Sequence, residues 1–357
     1  MAPAKPDTTS VEEFAVGRVL TVGKGTLNKE LLSSVGMVSN RQQVSVEVLE
    51  GKLKGCTVSV ANEITDNPVF NINVKPGTEV ILSVVTTGGE VAKSEVNIAD
   101  YHRAPTLGWL LLVFLIAFVV FGGKKGIKSL FALIISVCLI AFVLLPLSLN
   151  GFNPLLVAIA ICLISAMATM YFVAGRSKKA LAAILGTVGG VIVAGVAAQL
   201  VIFYAPLTGL SSEEAQILRG SLLVVSPKFY SGLLAAGMLI GALGVIMDVA
   251  VSIASAVSEV AKIGQRTCTF AELYESGMNV GRDIMGTMTN TLILAYTGSA
   301  LPLLLLISQI PSTKLVNLDL VATEVASAIS GSLGLVLTIP LTAYFAARLM
   351  APKPSNS

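Results

Sequence analysis

Charge is scarce in this chain. Only 13% of its 357 residues are Asp, Glu, Lys or Arg, about half the share of a soluble domain, and the mean hydropathy is +0.82. Lipid is therefore the expected solvent for much of it. The net charge of +3 and the lack of a basic tract interleaved with aromatics set nucleic acid aside as a partner. Histidine occurs once, at His102, too few for a His-based metal site or a Ser–His triad. It reads as a polar residue at a membrane boundary. The four cysteines, Cys56, Cys138, Cys162 and Cys268, form no CxxC pair, so neither a disulfide framework nor a zinc site is indicated. With no nucleophile–base pair, paired carboxylates or metal-ligand spacing, the sequence gives no reason to expect an enzyme or a cofactor.

What is present falls into two regions. Residues 1–105 contain VGRVLTV, QQVSVEVLEG, GCTVSVAN, TEVILSVV and EVNIADY, each alternating with period two and rich in β-branched residues. Lys75-Pro76-Gly77 and Gly88-Gly89 supply turns between some of them. About five short strands predict a small all-β, OB-like barrel. No row of aromatics for base stacking accompanies it.

After Pro105 the chain turns apolar. Runs long enough for about 30 Å of hydrocarbon occur near 107–122, 129–149, 153–174, 180–205, 231–256, 285–309 and 321–349. The expected fold is therefore an α-helical transmembrane bundle of about seven spans over 106–350, with a short tail at 351–357. Lys124, Lys125, Lys128, Arg176, Lys178, Lys179, Lys262, Arg266, Arg282, Arg348 and Lys353 follow odd-numbered spans, whereas LNGFNP has no charge and the loop after the sixth span offers only Lys314. The positive-inside rule then places the β domain outside and the C-terminus in the cytoplasm. MAPAKPDTTS has neither a signal core nor an anchor, so an upstream hydrophobic segment is expected. Ser211-Ser212-Glu213-Glu214 reads as a capping-box start, with Glu three residues after Ser211, opening a short outer helix. The charged and apolar mixture at 257–283 reads as an amphipathic cytoplasmic loop in the form of a helix lying along the inner face, or as a plain linker helix.

Polar and small residues mark the candidate site. In the fourth span Gly186, Gly190, Ala194 and Ala198 recur every four residues, a face suited to close helix packing. In the fifth, Gly237, Gly241, Gly244, Asp248, Ser252, Ser255 and Glu259 share a face. A charge at the centre of a lipid-exposed helix costs about 2.5–3.5 kcal/mol, so Asp248 is expected to face the bundle. There it is either a protonatable coupling group or cation ligand, lined by Ser252, Thr287, Asn290 and Thr291, or a strut hydrogen-bonded to Asn290 and Thr287. Arg282 and Asp283 form a candidate interfacial charge pair. Glu324 and Ser327, with Gly331, make a secondary polar face in the last span.

The runs GALGVIMDVAVSIASAV, GMNVGRDIMGTMTNTLILAYTGSALPLLLL and ATEVASAISGSLGLVLTIPLTA resemble the YibE/F family of bacterial multi-pass membrane proteins. VKPGTEV, ADYHRAP, GGKKGIKSL and GRSKKALAAILGT resemble it too, so the likeness spans nearly the whole chain. It implies a bacterial inner-membrane protein with an anchor upstream, and no particular activity. More distantly, the order of basic loop, acidic span, amphipathic loop, Thr-rich span and Gly/Ser-rich span is similar to one half of resistance-nodulation-division permeases such as SecD and SecF. That likeness implies a proton-linked Asp at Asp248 and an inner-loop Arg at Arg282. The chain departs from it in lacking the Asp-Arg pair further along and in carrying two extra spans. The leading expectation is thus a permease coupled to a proton or cation. The alternative is a non-transporting scaffold or sensor whose β domain binds an envelope component. The bilayer, a further copy of the chain, and a small-molecule or envelope ligand are the remaining candidate partners.

Overall fold

The computed structural model describes residues 11–23, 26–27, 39–65, 71–86, 94–221, 226–263, 268–306 and 311–351. The chain forms two compact units, Met1–Ala117 and Phe118–Ser357.

The first unit is a curled antiparallel sheet of β1 (Val11–Val22), β2 (Thr26–Leu27), β3 (Ser39–Val48), β4 (Thr57–Thr65), β5 (Glu79–Thr86) and β6 (Ser94–Tyr101). Leaving the two-residue β2 aside, the order is β4-β3-β1-β5-β6, and β4 and β6 approach each other. This is the ring order of an OB-type barrel, as the strand pattern predicts. A register shift between Val19 and Thr21 and another between Ile81 and Leu82 give the sheet curvature. Period-two alternation sends Val44, Val46 and Val48 inward against Val19, Val60, Val80 and Leu82, all essentially dry. Lys75-Pro76-Gly77 closes a turn in which the Thr78 amide donates to the Lys75 carbonyl at 3.0 Å. Gly77 takes φ +88° there, the position a type II turn reserves for glycine. Gly88-Gly89 lies outside the described residues. At the end of the barrel Glu79 accepts from Arg18 at 3.0 Å and lies 3.1 Å from His102 Nδ1. Hydrogen bonds from these two side chains, Arg18 first, hold its carboxyl below the usual range.

The helices follow as α1 (Ala104–Leu139), a π-helical turn (Ile140–Leu144), α2 (Leu145–Leu149), α3 (Pro154–Ala174), α4 (Lys178–Tyr204), α5 (Glu213–Ser221), α6 (Pro227–Ile263), α7 (Phe270–Ser299), α8 (Leu301–Leu306), α9 (Ser312–Leu315) and α10 (Asp319–Met350). Among the described residues, five helices are long and apolar enough to cross a membrane: Ala104–Leu149, α3, α4, α6 from Lys228, and α10. The chain is thus a multi-pass membrane protein by the length and composition of its helices.

The first of these contains 46 residues, about 69 Å at 1.5 Å per residue and more than twice the hydrocarbon core. It is not straight. Gly123 adopts φ 53°, ψ −141°, and a β-carbon on Gly126 would sit 2.6 Å from the Phe118 carbonyl oxygen. Those residues would be about 12 Å apart in an unbroken helix. The apolar stretches 107–122 and 129–149 lie on either side of this bend, with Lys124 and Lys125 at it. The described part of the stretch 285–309 divides between α7 and α8, and Thr287, Asn290, Thr291 and Thr297 leave α7 less apolar than its neighbours.

One sequence-based expectation, the cap at Ser211, is corrected here. Within 257–283, Val257–Ile263 completes α6, and Phe270–Asp283 is the first half of α7. The reason is local, since Thr269 and Glu272 form a reciprocal capping box that starts a helix. Gly277 and Gly281 then let that helix lie against Val257, Ala343, Ile253 and Ile339. In α5 the capping residue is Ser212, whose hydroxyl accepts from the Ala215 amide at 3.2 Å. Ser211 instead donates to Thr323 at 3.5 Å.

Candidate functional site

α4, α6, α7 and α10 form the packed centre of the helical unit, and α3 lies against α4 and α6. α4 and α10 run antiparallel at backbone contact. β-carbons built on Gly186 and Gly190 would meet the hydroxyls of Thr342 and Thr338 at 1.9 and 1.8 Å, and one on Gly334 would meet Ala194 at 2.7 Å. Such an approach brings glycine Cα–H groups onto threonine oxygens, a weak hydrogen bond that recurs between close helices. Thr338 also donates to the Gly334 carbonyl at 2.7 Å. Thr187, Ser330 and Thr342 are buried with hydroxyls that have no partner among the described residues.

These contacts put the start of α4, the end of α6, the start of α7 and the end of α10 at one end of the bundle. Lys128 and Arg176 border a shared cleft. At the opposite end Thr208 donates to Asp319 at 2.6 Å, and Gly209 presses on the Tyr230 carbonyl.

α6 turns the other way from the sequence reading. Ala242, Ile246, Val249, Ile253 and Val257 are buried, whereas Gly237, Gly241, Gly244, Asp248, Ser252 and Glu259 are exposed and Ser255 is half-buried. Shape explains the reversal, because Ile246 fills the space over Gly190 and Gly334 that no polar side chain would fill as well. Asp248 therefore does not face the bundle interior, and it has no hydrogen-bond or ion-pair partner among the described residues.

The contacts of Gly277 with Val257, Gly281 with Ile253 and Gly241 with Tyr296 place Asp248 level with Thr287 and Asn290 of α7. Those residues and Thr291 are exposed as well. The expected bonds to Asp248 are not formed. Thr287 donates to Ile284 at 2.9 Å and Thr291 to Thr287 at 2.9 Å, both within their own helix. Arg282 and Asp283 are not paired either. Successive helical side chains diverge by about 100°, and Arg282 donates to Asn279 at 3.2 Å. Of the glycines, a β-carbon built on Gly237 or Gly244 would meet nothing within 4 Å, whereas one on Gly331 would meet Leu292 at 2.9 Å and Ala242 at 3.1 Å.

The secondary face divides as well. Ser327 is buried and donates to Thr323 at 2.8 Å, but Glu324 is half-buried and lines a cleft of about 260 Å³ between α7, α8 and α10. Tyr296 belongs to the same cleft, and its hydroxyl would lie 2.6 Å from a β-carbon on Gly241. Tyr296, Thr338 and Thr342 went unremarked in the sequence. The last two carry a legible signal, a four-residue spacing equal to that of the α4 glycines.

Comparison with known families agrees with this architecture. Residues 110–352 match the family described as YibE/F-like protein. The chain belongs to the YibE/F family. Residues 19–101 match the YibE/F family N-terminal domain, so the β unit and the helical unit each have their family counterpart. No curated protein and no solved structure shows significant similarity to the chain.

Proposed function

We propose that this YibE/F protein is an ion-coupled permease of the bacterial inner membrane, with Asp248 as the coupling carboxylate. The observation that carries the reading is an unpartnered acid midway along a membrane-length helix, flanked by Gly244 and Ser252 and level with Thr287 and Asn290. An ionised carboxylate against lipid chains is costly, and intramembrane acids mark ion paths and proton relays. In this reading the carboxyl is neutral when its face meets apolar surroundings and releases its proton when water reaches it. Ser252, Thr287, Asn290 and Thr291 line that path. The distant likeness to resistance-nodulation-division permeases supports the same assignment. Clustering of the basic residues at one end of the bundle supports a cytoplasmic location for that end, with the β unit outside. The alternative is a non-transporting sensor whose β unit binds an envelope component; among the described residues a niche of about 30 Å³ lies beside Glu13 and Lys52.

Proteoliposomes loaded with a pH dye and placed under an inward-negative potential test the proposal. Wild-type protein acidifies the lumen faster than Asp248→Asn at equal incorporation, and equal rates contradict the assignment.

A further inference from the structure

The cleft around Glu324 has a composition of its own. Val321, Val325, Ala328 and Ile293 supply apolar walls, and Tyr296 and Glu324 bring the aromatic ring and the carboxylate. Among the described residues no Lys, Arg or His pairs with Glu324. A carboxyl held against apolar walls keeps its charge only beside a counter-charge, and among the described residues no cationic side chain supplies one. Its volume of about 260 Å³ falls a little below the range of roughly 300–1,000 Å³ that accepts drug-sized ligands. Glu324 lies five residues into α10, about 7.5 Å from the helix start, so the cleft is near one end of the bundle and away from Asp248.

We propose that this cleft binds a lipophilic monocation, an amine or quaternary ammonium on a small apolar body. The body lies along Val321, Val325 and Ala328, and the cationic head meets Glu324 and the Tyr296 ring. Aromatic faces attract such heads, and the carboxylate supplies the charge that a neutral acyl chain cannot use. The site does not depend on the transport reading of Asp248, because it is defined by binding alone.

Equilibrium dialysis of radiolabelled benzyltrimethylammonium against the full chain in phosphatidylcholine nanodiscs tests it, with empty nanodiscs subtracted. The expected result is saturable binding of one ligand per chain, about tenfold weaker in Glu324→Gln. Its uncharged carbon isostere, neopentylbenzene, should compete poorly. Ala328→Leu, which keeps the acid but fills the cleft, should also abolish binding, and it decides the matter if Glu324→Gln does not fold. Absence of saturable wild-type binding, full affinity in either folded variant, or equal displacement by neopentylbenzene would overturn the proposal, the last marking the cleft as a lipid slot.

Discussion

The Thr338 hydroxyl lies 1.8 Å from where a β-carbon on Gly190 would be. With Gly186 against Thr342 one turn away, this contact fixes the α4–α10 pair. Gly190→Ala should therefore destabilise the protein by about 1–3 kcal/mol through overpacking, and Thr338→Ala added to it should recover most of the loss. Thermal unfolding of the three variants in one detergent checks this, and additive losses would refute the contact.

The bend at Gly123 makes a sharper pair. Its φ of 53° with ψ −141° is a conformation in which other residues are strained by about 1–3 kcal/mol. Gly123→Ala should lower the melting temperature, whereas Gly122→Ala, with nothing within 4 Å of the added methyl, should not.

Orientation can be read with native thiols. Cys56 is exposed on the β unit and Cys268 lies at the start of α7, half-buried. In variants retaining one cysteine each, a membrane-impermeant maleimide added to intact spheroplasts should label Cys56 and leave Cys268 unlabelled until lysis. The reverse pattern would invert the proposed topology.

Glu79 sets an acid limit on the barrel. Its carboxyl is lowered by Arg18 and then His102, so the folded state holds the charged form more tightly than the unfolded chain does. That contribution is complete above the ordinary glutamate value and is lost as pH falls through the lowered one. Glu79→Gln should therefore speed amide exchange in β1 and β5 at neutral pH, with the gap to wild type closing in acid. A gap that widens in acid would refute the sign.

The barrel was legible because alternation with period two is a local signal, and each quoted run of residues 1–105 lies on a strand. The two apolar stretches around Lys124 were legible by length, but their fusion into one bent helix was not, since a glycine pair with lysines reads as a loop. The face of α6 was misread for a different reason. Polarity alone favoured burying Asp248, whereas packing was decided by the fit of Ile246 between two glycines on partner helices distant in sequence. The bond expected between Asp248 and Asn290 failed with it, although the antiparallel register does bring them to one level. The cleft at Glu324 was not legible, because it is built from α7, α8 and α10 together.

Infrared difference spectroscopy of the protein in lipid films, cycled between acidic and alkaline buffer, tests the central claim most directly. If Asp248 exchanges protons with water from within the membrane, the difference spectrum contains a protonated-carboxyl band that shifts in heavy water and is missing from Asp248→Asn. Identical spectra from the two proteins would show a carboxyl that does not titrate, and the coupling role would be excluded.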